Sequence, residues 1–360
     1  MFDLSSLRLP IVQAPMAGGP STPELAGAVA DGGGLGSLAT GYLSASAAEA
    51  QLAAFRSLST GPVAVNVFVP EQHPTSASDA QAYRSALLSW RESEDIAGDV
   101  PAVPPSADAE AWADYTAMLA MLERTAPQVV TFTFGLPAQE DVARLQAAGV
   151  RVGVTVTTVE EALQALARGA DLLIAQGIDA GGHRSQFDQS ASPADISTVD
   201  LVRALASRCD RPLVGAGGVD GPASAQRLLD AGASSVQLGT LFLTAREAGT
   251  KPTHRAALLN PGERSTVLTR AFTGRPARAL SNRFTAAMEE ASVVGYPQVH
   301  VLTGGIRAAA AAADDPELLH LWAGTGFAAC ADETAASVLS RFDALRRPEP
   351  STPVPSGGMT

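Results

Sequence analysis

A closed (β/α)8 barrel, the TIM-barrel form of the α/β class, is what this sequence predicts, on three observations. Eight short apolar runs rich in β-branched residues recur along the first two-thirds of the chain. They are continuous rather than alternating, as parallel strands covered on both faces require. Helical patterns with their own start and stop signals fill most of the intervals. Eight such units favour a closed barrel over its competitor, the open doubly wound sheet.

The strands read, in order, as Ile11–Met16, Gly34–Ala39, Val63–Val69, Val129–Phe134, Arg151–Val156, Leu172–Gly177, Pro212–Gly218 and Ser235–Leu243. Their starts fall 21 to 29 residues apart except after the third and the sixth, room for one strand, one helix and two short loops. Between the first two, Thr22-Pro23-Glu24 opens a helix with a cap residue and a first-turn proline. Thr158 before Val159-Glu160-Glu161 opens another, and Leu163, Leu166 and Ala167 keep helical spacing. Helices close on glycine at Ala148-Gly149, Arg168-Gly169 and Ala231-Gly232. The expected organisation is a barrel over residues 1–245, with residues 70–128 as an extended excursion over its mouth after the third strand. A helical C-terminal extension over 246–346 completes the barrel and the substrate pocket, and 347–360, ending in PEPSTPVPSGGMT, is a disordered tail.

Composition removes several classes of function. Lysine and arginine number 25 against 37 aspartates and glutamates, a net charge of −12. Such a surface repels phosphate backbones and anionic membranes, so neither nucleic acid nor a membrane is expected as a partner. The start MFDLSSLRLP has no signal-peptide character and no run has the length of a membrane span, so the expected location is cytoplasmic. Cys209 and Cys330 stand in no paired motif and read as ordinary thiols. The single lysine, Lys251, falls in a polar stretch past the last strand, which argues against Schiff-base chemistry. No GxxxxGK[ST] or GxSxG motif occurs. Gly34-Leu35-Gly36-Ser37-Leu38-Ala39 matches the dinucleotide fingerprint but follows a helix and is itself a strand, the reverse of the required context.

Glycines gather where the last three strands end: Gln176-Gly177-Ile178-Asp179-Ala180-Gly181-Gly182-His183, Gly215-Ala216-Gly217-Gly218 and Gln237-Leu238-Gly239-Thr240. Each segment alone reads equally as turn glycines. Three at adjacent barrel positions favour a phosphate cradle, since barrels build their sites from these loops and glycine lets backbone amides approach a phosphate. His183 lies on the first of these loops, which makes it the candidate reactive residue although a lone histidine is more often structural. His73, His254, His300 and His320 form no HxH or HExxH pattern, so no metal is expected.

Gln13-Ala14-Pro15-Met16-Ala17-Gly18-Gly19, Asn66-Val67-Phe68, Phe132-Thr133-Phe134-Gly135, Gly181-Gly182-His183-Arg184, Gly215–Gly218 and Gln237–Thr240 occur in one order over roughly residues 8–245. Together they resemble the nitronate monooxygenases, formerly called 2-nitropropane dioxygenases. FMN-dependent enoyl reductases share the Ala-Gly-Gly-His segment. Tyr296-Pro297, His300-Val301-Leu302-Thr303, Arg307-Ala308-Ala309-Ala310 and Leu321-Trp322-Ala323-Gly324 are similar to the class I branch. Ser185 departs from the glycine usual after Gly-Gly-His-Arg, and Thr303-Gly304-Gly305 from a more proline-like stretch, which puts loop flexibility and pocket shape in question.

The resemblance implies non-covalent FMN. Pro15, Met16 and Ala17 would back its ring, while Asn66 and Gln176 would meet its polar edge, as amides with both donors and acceptors can. Gly181, Gly182, Gly217, Gly218, Gln237, Leu238, Gly239 and Thr240 would hold its ribityl chain and phosphate. The implied reaction is oxidation of alkyl nitronates such as propionate 3-nitronate by dioxygen to a carbonyl compound and nitrite. His183 would orient the nitronate or act as base on a neutral nitroalkane, with a cationic imidazole or Arg184 stabilising the anion. The alternatives are an FMN-dependent NAD(P)H:quinone or enoyl-thioester reductase, and a flavin-binding barrel without turnover. Assembly into a homo-oligomer is left open.

Overall fold

The computed structural model describes residues 2–71, 75–104 and 108–347. Eight parallel strands form the barrel: β1 (Ile11–Gln13), β2 (Gly36–Ala39), β3 (Val63–Phe68), β4 (Val129–Thr133), β5 (Arg151–Val156), β6 (Leu172–Gln176), β7 (Leu213–Ala216) and β8 (Ser235–Leu238). From β3 to β8 each strand pairs with its predecessor, and β8 pairs with β1 through Ile11–Val236 and Gln13–Leu238. A parallel bridge between Val12 and Leu35 closes the ring. The chain is a (β/α)8 barrel.

Alternation along each strand sorts its side chains between two cores. Outward residues such as Val63, Val65 and Val67 pack with helix residues Leu52, Phe55, Tyr115, Met118 and Leu122. Inward residues grade from apolar to polar. Val12, Ala64, Val129, Leu172 and Val214 meet Leu4 and Leu7 from the N-terminal segment, which plugs the bottom. Further up the barrel, Asn66, Thr133, Thr155, Gln176 and Gln237 face a cavity at the strands' C-terminal ends.

The helices expected at Thr22 and Thr158 are α1 (Pro23–Asp31) and, further along, Val159–Ala167; each cap hydroxyl accepts from the third residue on, Leu25 N at 3.0 Å and Glu161 N at 3.1 Å. Of the two helices in the expected excursion, Ala77–Ser93 packs on the C-terminal region, where Tyr83 and Leu87 join Phe272 and Phe284. Asp108–Thr125 instead packs against β3 and its neighbouring helices as the ordinary barrel helix of that unit. The excursion is therefore the first half of that segment.

Two expected elements change. The last strand stops at Leu238 and Thr240–Leu243 is helical; a continuous apolar run looks the same in a buried strand and a buried helix. Within 246–346 an antiparallel hairpin, Thr266–Thr269 with Ala277–Leu280, stands where helix alone was expected. Its second strand pairs with Gly182–His183, so the glycine loop after β6 is stitched into a three-stranded sheet. Of the expected tail, 348–360 lie outside the described residues. Arg347 donates to the carbonyls of Leu4 at 2.7 Å and Ser234 at 2.6 Å. No helix of the described residues is long and apolar enough to cross a membrane.

Candidate active site

The cavity at the strand ends has a volume of about 410 Å³, within the usual range for small-molecule sites. His183 and the thirteen residues selected beside it all line it. Pro15, Met16 and Ala17 come from the loop after β1, Asn66 from β3 and Gln176 from the end of β6. Gly181 and Gly182 precede His183, Gly217 and Gly218 follow β7, Gln237 and Leu238 end β8, and Gly239 and Thr240 lead on from it.

The glycine wall is main chain at close quarters. A Cβ on Gly181 would sit 2.4 Å from the amide nitrogen of Gly324, and one on Gly217, whose φ is +121°, 2.7 Å from that of Ala180. No side chain fits either place. The amides of Gly217, Gly218, Gly239 and Thr240 donate to no other described residue, so four donors are available where the strands end. Asn66 commits its amide nitrogen to Thr131 Oγ1 at 3.0 Å and Thr133 Oγ1 at 2.9 Å, which leaves Oδ1 to accept. Free main-chain donors, an amide acceptor and space of this size fit a flavin mononucleotide. Gln176 does a second task. Its Nε2 donates to His183 O at 3.0 Å and its Oε1 accepts from Ser185 N at 2.9 Å, bracing the loop that carries His183.

The half-buried His183 ring stands among Phe134, Tyr296 and Trp322, with ring centroids 5.8, 6.0 and 5.1 Å away. Its Nε2 lies 2.9 Å from Thr273 Oγ1. Burial first, then His300, Arg275 and Arg307, push its pKa down to about 3. The imidazole is neutral near neutral pH, which removes the cationic form expected as an anion stabiliser. Arg184 is removed from that role too. It is fully buried, does not line the cavity, and its guanidinium donates to the Gln176 and Gly177 carbonyls at the end of β6.

The facing wall is built from side chains that sequence reasoning did not assign. Tyr42 stacks on His300 at 5.1 Å with ring planes 4° apart, and its side chain hydrogen-bonds to Tyr296. Arg307 lines the cavity while donating to Thr303 Oγ1 at 3.1 Å and to the His300 carbonyl at 2.6 Å. Phe134, beside His183, takes φ +74°, a conformation rare outside glycine. The fully buried Arg275 lies 4.2 Å from its ring centroid, bonds the Gln186 carbonyl and pairs with Glu71 at 3.5 Å. His254, His320 and Lys251, set aside in the sequence, also line the cavity. Burial lowers the pKa of His254 to about 4 and that of His300 to about 3, and holds His320 well below its ordinary value. Among the described residues no cluster of three or more His, Cys, Asp or Glu is placed to hold a metal. Tyr296, His300, Arg307 and Trp322 fell within the C-terminal segments quoted above; Tyr42 and Thr273 carried no sequence signal.

The family model described as "Nitronate monooxygenase" matches residues 2–340. The chain belongs to that family. It is 36% identical over 349 residues to the nitronate monooxygenase of Paraburkholderia phytofirmans, covering 95% of this chain and 93% of that one. It is 40% identical to the nitroalkane oxidase of Streptomyces ansochromogenes, whose crystal structure superposes with a TM-score of 0.86 over 95% of this chain and 96% of that one. FabK from Thermotoga maritima, at 23% identity and TM-score 0.71 over 95% and 94% of the two chains, shares the fold. Membership makes this chain a flavin-dependent oxidoreductase.

Both departures from the nitronate monooxygenase pattern have a structural place. Ser185 is buried and held by Gln176 through its backbone. Gly305 lies outside the cavity lining, against the chain at residues 98–99, and a Cβ there would approach Asp99 O to 2.3 Å. Thr303 donates to Phe272 O at 2.6 Å and accepts from Arg307, so it acts on the cavity through that arginine.

Proposed function

We propose that this chain is an FMN-dependent nitronate monooxygenase that oxidises small alkyl nitronates, propionate 3-nitronate among them, with dioxygen to a carbonyl compound and nitrite. The observation that carries the reading is the charge of the lining. The chain has a net charge of −12, yet the charged side chains described on this cavity are Lys251 and Arg307, with four neutral histidines and no carboxylate. A cavity so lined attracts an anion, and a nitronate is a small planar anion.

The four free amides after β7 and β8 would hold the phosphate, Asn66 and Gln176 the polar edge of the ring, and Pro15, Met16 and Ala17 its face. Bound there, FMN supplies the electron transfer between nitronate and dioxygen. The protein's own groups do the rest. Phe68, Phe134 and Trp322 wall off water around the reacting carbon. His183, neutral, orients a nitronate by hydrogen bonding; its unprotonated ring is also the group placed to take the α-proton of a neutral nitroalkane, a step slowed by the burial that weakens it as a base.

The test is direct. The purified protein releases FMN on denaturation, and with a nitronate consumes oxygen and forms nitrite. A colourless protein that cannot be reconstituted with FMN overturns the reading. Rapid anaerobic bleaching of the flavin by NADH without nitronate oxidation would replace it with the reductase alternative.

A further inference from the structure

We propose that Arg307 is the receptor for a second anionic group on the substrate, a carboxylate at the end remote from the reacting carbon. This rests on the nitronate reading of the site and adds to it the residue that selects among nitronates.

Three arginines are buried near the cavity, and they differ in what satisfies them. Arg184 donates from its two Nη atoms to main-chain carbonyls and Arg275 pairs with Glu71, each with a buried Nε left without a hydrogen-bond partner. Arg307, 8% exposed, alone of the three lines the cavity. Among the described residues it faces no carboxylate, and its Nη1 has no hydrogen-bond partner, while Nε and Nη2 are used by Thr303 and His300. A buried cation without a counter-ion is costly; here the anion comes with the ligand.

The guanidinium is set in advance for that purpose. Thr303 Oγ1, itself fixed on the Phe272 carbonyl, holds Nε, and the His300 carbonyl holds Nη2. The orientation therefore costs little on binding, and the fork of an arginine suits a carboxylate.

Arg307 does not stand where the reacting group is expected. Tyr296 touches both histidine rings, 6.0 Å from His183 and 6.2 Å from His300; Arg307 is bonded to His300, whereas the His183 ring bonds Thr273. One end of a ligand at His183 and the other at Arg307 describes a short chain carrying an anion at each end.

The experiment compares propionate 3-nitronate with propyl-1-nitronate, which lacks the carboxylate, on holoenzyme with wild-type Arg307, R307M and R307K. The ratio of their kcat/KM values is expected to fall about ten- to hundredfold in R307M, the usual worth of a charged hydrogen bond, and by less in R307K. Succinate, with a carboxylate in place of the nitronate group, provides a readout without turnover. Calorimetry should record binding to the wild type, weaker binding to R307K and none to R307M. An unchanged substrate ratio in both variants, or equal succinate affinity in all three, overturns the proposal. Should the wild type oxidise neither nitronate, the nitronate reading fails, and the succinate titration still decides whether Arg307 receives a carboxylate.

Discussion

The two walls of the cavity are made of different materials. On one side, the loops after β6, β7 and β8 present main chain, with Gly181 and Gly217 where a Cβ would strike a neighbouring backbone. On the other, Tyr42, Phe134, His300, Arg307 and Trp322 present side chains, with Tyr296 packed against Phe134 and His183. The comparison teaches a division of labour. A wall of amides can grip a phosphate whatever substrate arrives, because amides neither titrate nor change rotamer. A wall of titratable and aromatic side chains can instead set protonation and discriminate among ligands.

The largest test separates the walls at their junction, His183. His183→Ala should leave flavin content intact and lower turnover of a neutral nitroalkane by about 10² to 10⁴, the usual range for a lost general base. Turnover of a ready-made nitronate should suffer less, because no proton has to be removed. Stopped-flow assays on both substrates check this; equal losses remove the base role and leave His183 only a binding one.

Next in size is a change confined to the main-chain wall. Gly217→Ala must place a Cβ 2.7 Å from the Ala180 nitrogen at φ +121°, a left-handed conformation plus a backbone clash. Together these cost about 2–4 kcal/mol. Flavin per chain, read by absorbance, and Tm should both fall. Full flavin retention would mean that the grip lies elsewhere and that the two walls are not distinct in function.

How much of this was legible beforehand follows the same division. The strands were readable because buried parallel strands leave continuous apolar runs of limited length, and Gln237, Gly217 and Gly181 were readable because glycine and amide types carry their geometry with them. Tyr42, Thr273 and Arg307 were not readable as a group, because only the closed barrel brings such distant segments together. The Leu241-Phe242-Leu243 run misled because burial, not backbone type, dictates its composition. The hairpin at Thr266–Leu280 was missed because its purpose, pairing with Gly182–His183, is a long-range contact. Arg184 adjoins His183 in sequence and turns away from the cavity in space.

The side-chain wall should also govern acid sensitivity. His183, His254 and His300 are held neutral down to about 3, 4 and 3 in the folded chain, whereas unfolded histidine takes up its proton near 6.5. Between those values the unfolded state binds more protons, so stability falls as pH drops below about 6.5. Each such histidine adds at most about 1.4 kcal/mol per pH unit to the slope. His254 is well buried and bonds the Trp322 carbonyl at 3.0 Å; His254→Gln keeps a donor there without a titrating ring. Its Tm between pH 4.5 and 7 should decline less steeply than the wild type's. Parallel curves would assign the acid sensitivity to carboxylates instead.

The smallest expected effect concerns the proton on His183. Thr273 Oγ1 is 2.9 Å from His183 Nε2, and its hydroxyl donates to the Arg275 carbonyl at 3.2 Å. A hydroxyl has one proton. With it on the carbonyl, Oγ1 accepts from His183, which places the imidazole proton on Nε2 and leaves Nδ1 to take a proton from substrate. Thr273→Val preserves shape and removes the acceptor. Nitroalkane kcat/KM should fall about three- to tenfold, the worth of one neutral hydrogen bond, while Thr273→Ser retains most of it and nitronate turnover changes less. Equal losses in the valine and serine variants would trace the effect to packing, and Thr273 would then belong to the wall without directing the proton on His183.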